Sequence, residues 1–276
     1  MTDSQQPLLS VNVSVRYGVK QPVLRNLTLE IRRGEILGLV GQSGSGKSTL
    51  ALSVLGLLAR EAKIEGSVTF DGKELLGMKE REMRALRGRS LGLVLQSPLS
   101  SLNPVLKIRT QLREAWRAHA DGSREECTRA IHEALASVSL PSDDEFLARR
   151  PTQLSVGQAQ RVLIAMAVIH RPPLILADEA TSALDAITQS EILSLFAQLN
   201  HETGAAILYI SHDLPAVAGI CHRVAILHEG TIVELGTPEH IFRAPHHPYT
   251  CRLVSAMPRS LTAPTAERAR AAGTGH

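Results

Sequence analysis

The chain has few features that would mark a secreted, disulfide-linked or membrane-spanning protein. It contains only three cysteines in 276 residues, Cys127, Cys221 and Cys251, and no two of them form a CxxC pair. Such spacing argues against a disulfide framework or a cysteine metal site, and it fits a reducing compartment. The longest wholly apolar run, Val162 to Ile169, has eight residues, far fewer than a bilayer span needs.

The N-terminus and the net charge exclude two further classes. Residues 1–10 lack the apolar core of a signal peptide. The formal net charge of +3 is too small to indicate nucleic-acid binding. The composition, 43% hydrophobic and 21% charged, is ordinary for a soluble protein, and the length allows one large domain or two small ones. We therefore expect no membrane span in the chain, although a membrane partner stays open.

The most informative segment that is present is Gly41 to Thr49, which matches the phosphate-binding pattern G-x-x-x-x-G-K-[ST]. An apolar run over residues 36–40 predicts a strand before it, and residues 49–58 predict a helix after it. Glycines let the backbone N–H groups face an anion, Lys47 can reach the outer phosphates, and the Ser48 hydroxyl can ligate Mg²⁺. The predicted nucleotide-binding residues here are Gly41, Ser43, Gly44, Ser45, Gly46, Lys47, Ser48 and Thr49.

The order of hydrophobic patterns predicts an α/β fold. Short alternating strands precede the phosphate loop, residues 97–160 have a mainly helical pattern, and strand–helix alternation resumes after residue 161. We predict a P-loop NTPase (RecA-like) core with a mainly parallel sheet, an N-terminal antiparallel β subdomain and an inserted α-helical subdomain. The predicted core is 1–96 with 161–245, the insertion is 97–160, and 246–276 is a partly disordered tail.

Four apolar runs end directly at polar residues. They lead to the phosphate loop, to Gln96, to Asp178-Glu179 and to His212. Because ligands bind beyond the carboxyl ends of parallel strands, these groups meet over the phosphates if the four strands are parallel neighbours. Asp178 would then hold Mg²⁺ through water, and Glu179 would polarise the attacking water.

His212 could donate to the γ-phosphate and hold Glu179 in place. Each strand-end group also has a simpler interpretation. Asp178-Glu179 alone could be a solvated acidic pair, and His212 and Gln96 could be structural residues.

The sequence Leu154 to Arg161, LSVGQAQR, resembles the signature of ABC-type ATPases, LSGGQ followed by x-Q-R. The other motifs of that family occur in order. Tyr17 resembles the aromatic residue that stacks on adenine, and Ser182 to Asp185 resembles the D-loop. The resemblance implies that Glu179 and His212 are catalytic, that Gln96 is the Q-loop glutamine, and that Ser48, Gln96 and Asp178 hold Mg²⁺.

The same resemblance implies a head-to-tail pair of ATPase subunits. Each ATP would lie between the phosphate loop of one subunit and Ser155, Gly157 and Gln158 of the other, with Asp185 in the D-loop. Val156 replaces a usual glycine. Valine adds bulk and disfavours positive φ, and the effect of Val156 on the activity of this half-site stays open.

Two further segments resemble the dipeptide, oligopeptide and nickel importer ATPases: Ser97 to Pro104, and Pro245 to Thr250 with the following residues 253–258. This implies ATP and Mg²⁺ as cofactors. It also implies three partners: integral membrane permeases, a second ABC ATPase and, indirectly, a solute-binding protein. Nucleic acid is not expected as a partner. The expected location is the cytoplasmic face of the inner membrane, as a peripheral protein. Only Cys251 lies near the C-terminus, so we expect no iron–sulfur cluster. The histidines alone would also fit a surface turn or a metal tract.

The sequence gives less support to two other functions. Soluble ABC ATPases that act on DNA or ribosomes share this core, but typically carry coiled coils, zinc modules or two nucleotide domains, and none is visible here. A P-loop kinase or GTPase disagrees with the signature and D-loop, and no NKxD-type motif occurs. The solute, whether peptide, nickel or another small molecule, and the identity of the second ATPase, whether a copy or a paralogue, stay open.

Overall fold

The computed structural model describes residues 6–18 and 21–257, which form two β-sheets and the helices around them. The strands are β1 Leu9–Tyr17, β2 Leu24–Ile31, β3 Ile36–Val40, β4 Ala62–Phe70, β5 Lys73–Glu74, β6 Leu91–Val94, β7 Leu174–Asp178, β8 Ala206–Ser211, β9 Arg223–His228 and β10 Thr231–Gly236. The helices are α1 Lys47–Val54, α2 Glu80–Leu86, α3 Pro98–Ser101, α4 Ile108–Arg117, α5 Arg124–Ser137, α6 Asp144–Ala148, α7 Val156–Val168, α8 Ala186–Thr203, α9 Leu214–Ala218, α10 Pro238–Arg243 and α11 Pro248–Ser255.

The larger sheet has six strands in the order β10-β9-β3-β8-β7-β6. Strand β3 pairs in parallel with β8 and β9, β8 with β7, and β7 with β6, while β10 is antiparallel to β9. The strands that precede the phosphate loop, Gln96, Asp178 and His212 are therefore parallel neighbours. The prediction that their polar ends lie along one sheet edge is confirmed.

The interior residues of the parallel strands are mainly apolar because both faces of this sheet are covered. On β3, Leu37 and Leu39 pack into one apolar cluster, and Ile36 and Val40 pack into the other. The first cluster lies between the large sheet and the second, four-stranded sheet, whose order is β2-β1-β4-β5 and whose pairs are all antiparallel. This second sheet is the predicted antiparallel subdomain, although β4 and β5 come from the chain after the phosphate loop.

The predicted insertion forms helices on the other face of the large sheet. Ile108 and Leu112 of α4 are fully buried and belong to the same apolar cluster as Val162 and Ile164 of α7. Helix α7 starts at Val156 and continues into the core, so the predicted boundary at residue 160 falls inside one helix. The division into subdomains stays a prediction, and a shared apolar core joins the two parts.

The start of the predicted tail is a packed helix. Tyr249 in α11 is buried, and its ring stacks on the His228 ring with a centroid separation of 3.8 Å and an angle of 12°. Glu234 of β10 accepts the backbone N–H groups of His246 and His247. The part of the prediction that concerns disorder after Pro258 lies outside the described residues. Across residues 6–18 and 21–257, no helix is long and apolar enough to span a bilayer.

Candidate functional site

The phosphate loop joins β3 to α1 at the centre of the large sheet. Its backbone turns through Gly44 and Gly46, with φ of 79° and 109°, a region that L side chains rarely adopt. A Cβ atom at Gly46 would also lie 2.5 Å from Leu24 Cδ2. Because Gly46 is the N-cap residue, α1 begins at Lys47, two residues before the predicted start, and its N-terminus faces the loop.

Lys47 places a buried ammonium group inside this loop. Its side chain is 5% exposed, and Nζ donates to the carbonyl oxygens of Gly41 at 2.9 Å and Gln42 at 3.1 Å. Nζ also lies 3.6 Å from Glu179 Oε1. A buried charge needs such partners, because an isolated ammonium is strongly disfavoured away from water. The ammonium group of Lys47 thus lies where the oxygens of a bound phosphate are expected.

Asp178 ends β7 and lies opposite Ile210 of β8. Burial raises the pKa of its carboxyl group; Glu179 adds to the rise, and the Ser48 hydroxyl and Lys47 partly offset it. Among residues 6–18 and 21–257, its buried Oδ1 atom has no hydrogen-bond partner. A carboxylate oxygen without a partner beside a serine hydroxyl is a donor set that suits Mg²⁺, so the residues fit that ion.

Glu179 lies between the lysine and the histidine. Its Oε1 is 3.6 Å from Lys47 Nζ, and its Oε2 is 3.6 Å from His212 Nδ1. Its backbone has φ of 49°, and its N–H donates to Ile210 O at 2.9 Å. A non-glycine residue in the left-handed region costs about 1 kcal/mol or more and occurs often at functional sites. The three predicted groups, Lys47, Glu179 and His212, are therefore brought together.

A buried pair of hydroxyl groups near the Lys47, Glu179 and His212 cluster was not predicted from the sequence. Thr181 Oγ1 and Tyr209 OH are 2.8 Å apart, and both side chains are buried. Burial raises the pKa of the Tyr209 hydroxyl group. The pair ties the segment after Glu179 to β8. The available signal was one tyrosine in the otherwise apolar run from Ala205 to Ile210.

Two other predicted residues lie near the edges of the sheets. Gln96 is exposed and follows β6, whose last residue Val94 pairs with Ala177, so it is at the same sheet edge as Asp178. Tyr17 ends β1 opposite Ala62 and is half-buried against the cluster between the two sheets. The roles of Gln96 in metal binding and of Tyr17 in adenine stacking stay predictions.

The signature residues form the N-terminus of α7. Ser155 Oγ accepts the Gln158 N–H at 3.2 Å, and Gln158 Oε1 accepts the Ser155 N–H at 3.1 Å, so the two residues cap the helix reciprocally. The prediction that Ser155 caps this helix is confirmed. The expected backbone conflict at Val156 is wrong: Val156 is the first helical residue, has no positive φ, and leaves 39% of its surface exposed.

The D-loop lies beside the signature. Asp185 caps α8 by accepting the N–H groups of Ile187 and Thr188 and the Thr188 hydroxyl, and these hydrogen bonds lower its pKa. A Cβ atom at Gly157 would lie 2.8 Å from the Thr188 methyl group, so the two helix N-termini are in close contact. They line a groove of about 350 Å³ that no phosphate-loop residue borders. Within the described chain, the signature is separate from the lysine–glutamate–histidine cluster.

A phosphate loop, a strand-end Asp-Glu pair and a strand-end histidine on one edge of a parallel sheet define a P-loop nucleoside triphosphatase. The family model described as "ABC transporter" matches residues 24–182. The chain belongs to the ABC transporter family.

The named relatives agree with this assignment. The chain is 41% identical over 236 residues to the oligopeptide transport ATP-binding protein OppD of Salmonella typhimurium, covering 86% of this chain and 70% of the relative. It is 38% identical to the dipeptide transport ATP-binding protein DppD of Bacillus subtilis, covering 88% and 73%. The alternative of an ATPase that acts on DNA or ribosomes finds no support among these relatives.

Solved structures show the same fold. The dimeric ATP-binding cassette MJ0796 in a post-hydrolysis state, bound to ADP and Pi, matches with a TM-score of 0.72 and 30% identity, covering 83% of this chain and 98% of that one. The protein cbiO1 from Clostridium perfringens matches with a TM-score of 0.77 and 25% identity, covering 93% and 98%. The chain is an ATP-binding and ATP-hydrolysing subunit of an ABC transporter.

Proposed function

We propose that this chain hydrolyses ATP with Mg²⁺ to drive the import of peptides through membrane permease subunits. The observation that supports hydrolysis is the position of Glu179. Its Oε1 atom lies 3.6 Å from Lys47 Nζ, and its Oε2 atom lies 3.6 Å from His212 Nδ1. The peptide class rests on the names of the two relatives, which describe oligopeptide and dipeptide transport. Nickel or another small solute is the alternative that the transport experiment below distinguishes.

The residues of this chain support the following hydrolysis. The loop amides and Lys47 bind the β- and γ-phosphates, and Glu179 orients a water molecule against the γ-phosphorus. The water oxygen bonds to phosphorus, the bond from phosphorus to the bridging oxygen breaks, and ADP leaves with the bond's electron pair. Glu179 accepts the water's proton, while His212 donates a hydrogen bond to the γ-phosphate oxygens.

Mg²⁺ would be held by Ser48 and Asp178, with Gln96 as the third predicted ligand. When bound, the ion supplies positive charge that neutralises the phosphate oxygens. The support for this assignment is the buried Oδ1 atom of Asp178, which has no hydrogen-bond partner in the described ranges 6–18 and 21–257.

The signature would complete the ATP site of a second ATPase. Ser155 and Gly157 lie at the N-terminus of α7, where backbone N–H groups and the helix dipole favour an anion. Gln158 fixes this terminus through the cap, and Asp185 lies across the groove. The dimeric form of the cassette MJ0796 supports such a pairing, with a copy of this chain or a paralogue. Bound to permeases, the pair would lie at the cytoplasmic face of the inner membrane, with a solute-binding protein acting indirectly.

The substitution Glu179→Gln tests the hydrolytic role. We expect ATP turnover to fall by about 100-fold or more, because a general base typically contributes that much, while ATP binding is retained. The matched control is Glu30→Gln, at an exposed position on β2, which should leave turnover unchanged. Undiminished turnover in Glu179→Gln would contradict the assignment.

The transport role is tested by purifying the full chain from its native membrane with its partners. Integral membrane subunits should copurify, and peptide-loaded binding protein should stimulate ATP turnover of the reconstituted complex. If only nickel-loaded binding protein stimulates ATP turnover, the transported solute is nickel and not a peptide. Recovery of ribosomes or DNA without membrane subunits would overturn the importer assignment.

A further inference from the structure

We propose that Gln189 is a positioning residue that orients His212, the proposed catalytic histidine, through Asp213. The proposal rests on the catalytic role of His212 proposed above. Gln189 would join helix α8, which follows the D-loop, to the segment that carries His212 within a single chain. The connection is one hydrogen bond between a neutral amide and a carboxylate.

The bond itself is well formed. Gln189 is in the first turns of α8, and its Nε2 donates to Asp213 Oδ2 at 3.0 Å. Both side chains are half-buried, so the bond is partly shielded from competing water. Charge-assisted hydrogen bonds of this kind are stronger than those between neutral groups.

Asp213 is fixed by two further hydrogen bonds. Its Oδ1 accepts the Ala216 N–H at 3.1 Å as the N-cap of α9, and its own N–H donates to Ser211 Oγ at 3.0 Å. His212, by contrast, has a side chain that is 59% exposed, and its Nδ1 is 3.6 Å from Glu179 Oε2, beyond ordinary hydrogen-bond length. The residue that follows the histidine is therefore held more firmly than the histidine itself, and it sets the backbone from which the imidazole projects.

The other end of the connection lies at the D-loop. Gln189 is one helical turn after Asp185, and its backbone N–H donates to Asp185 O at 2.8 Å. Asp185 borders the groove that carries the signature residues. A shift of the α8 N-terminus, where a second ATPase would bind, is thus passed to His212 through Gln189 and Asp213. Helix packing does not require this side chain, because α8 buries Ile192, Leu195, Phe196 and Leu199 further along.

The first experiment substitutes Gln189→Glu in the full-length chain and measures steady-state ATP turnover. The new carboxylate at position 189 faces Asp213 Oδ2 and repels it, and we expect kcat to fall about tenfold, within the range of coupling effects, with KM for ATP changed less than about twofold. Adding Asp213→Asn should restore kcat to within about threefold. It supplies an amide donor to position 189 and keeps the helix cap, since asparagine caps about as well as aspartate.

The matched control is Gln198→Glu on the same helix. Gln198 also donates to a carboxylate, Glu202 Oε1 at 2.8 Å, but on the exposed face. We expect wild-type kcat for this control. Should Gln189→Glu fail to fold, Gln189→Leu compared with Gln198→Leu removes the donor without adding charge, and only the first should lower kcat.

Three results would overturn the proposal: unchanged kcat in Gln189→Glu, no rescue by Asp213→Asn in a protein of normal thermal stability, or an equal loss in Gln198→Glu. His212→Ala separates this failure from failure of the proposed catalytic role. If His212→Ala retains full turnover, the role of the histidine is wrong and this inference falls with it. If His212→Ala abolishes turnover while Gln189→Glu does not affect it, only this inference is wrong.

Discussion

The phosphate-loop half of the site and the signature half differ in how far this chain completes them. Lys47 is 5% exposed and hydrogen-bonded to loop carbonyl oxygens, and Glu179 lies between Lys47 and His212. On the signature half, Ser155 and Asp185 are exposed, and two apolar side chains face outward, Val156 at 39% and Ile187 at 75%. The first half is built from four strands of one sheet, whereas the second presents two helix N-termini outward.

This difference shows how the two halves are stabilised. Buried polar groups must find partners inside the chain, because an unpaired buried charge is costly. Exposed helix N-termini can leave N–H groups to water or to an anion brought by another molecule. We therefore expect loss of a phosphate-binding group on the first half to weaken nucleotide binding, and substitutions on the second half to change turnover while ATP binding is retained.

Lys47→Ala should have the largest effect. Removal of the buried ammonium group should weaken ATP binding about 100-fold, because charge-assisted contacts to phosphate are among the strongest in proteins. Titration with a fluorescent nucleotide measures the affinity. Lys73→Ala, at an exposed position on β5, is the control and should bind normally. Equal affinity in Lys47→Ala and wild type would remove the basis for assigning this half to the phosphates.

Ser155→Ala should lower turnover about tenfold or more and leave ATP binding unchanged, because a hydrogen bond to a charged group contributes about 1.5 kcal/mol or more. Loss of the cap should also reduce the free energy of unfolding by about 1 kcal/mol. Ser123→Ala is a close control, since Ser123 caps α5 with the same 3.2 Å bond and the same reciprocal pairing, to Glu126. The Ser123→Ala variant should lose the same free energy of unfolding and keep full turnover. Weaker ATP binding in Ser155→Ala would break the contrast between the halves.

Asp178→Asn should raise the unfolding midpoint by a few degrees in metal-free buffer near neutral pH. The raised pKa means that the folded chain binds the proton more tightly than the unfolded chain, so the ionised carboxylate lowers stability above the folded pKa. This loss disappears as pH falls through the folded pKa, and the variant's advantage should vanish by about pH 3. Thermal melts at several pH values measure it. Asp121→Asn, at an exposed position, should show no such trend.

Val156→Gly should have the smallest effect. Val156 has helical backbone angles, so glycine gains no conformational advantage there, and we expect turnover within about twofold of wild type. Stability should fall by less than about 1 kcal/mol. A severalfold rise in turnover would show that the bulk of the valine side chain limits the signature half.

Much of the fold and of the first half was predictable because its signals are local. The phosphate loop, the Asp-Glu pair and His212 each follow an apolar strand, and parallel pairing brings strand ends to one edge. The helix after the loop was predicted two residues late, since the cap depends on the left-handed conformation of Gly46. The φ conflict expected at Val156 was wrong because the helix begins there, a boundary that pattern reading places poorly.

The nucleotide chemistry follows from the amino-acid sequence alone, because residue types at short, fixed spacing create the loop, its lysine and the strand-end carboxylates. The distant side chains that join these groups are set by the packing of the folded chain. Gln189 meets Asp213, and Thr181 meets Tyr209, across 24 and 28 positions of sequence. Such contacts depend on how helices and strands pack against one another, which hydrophobic periodicity does not specify. The separation of the signature from the phosphate loop has the same origin, since α7 and β3 are placed by the shared apolar core.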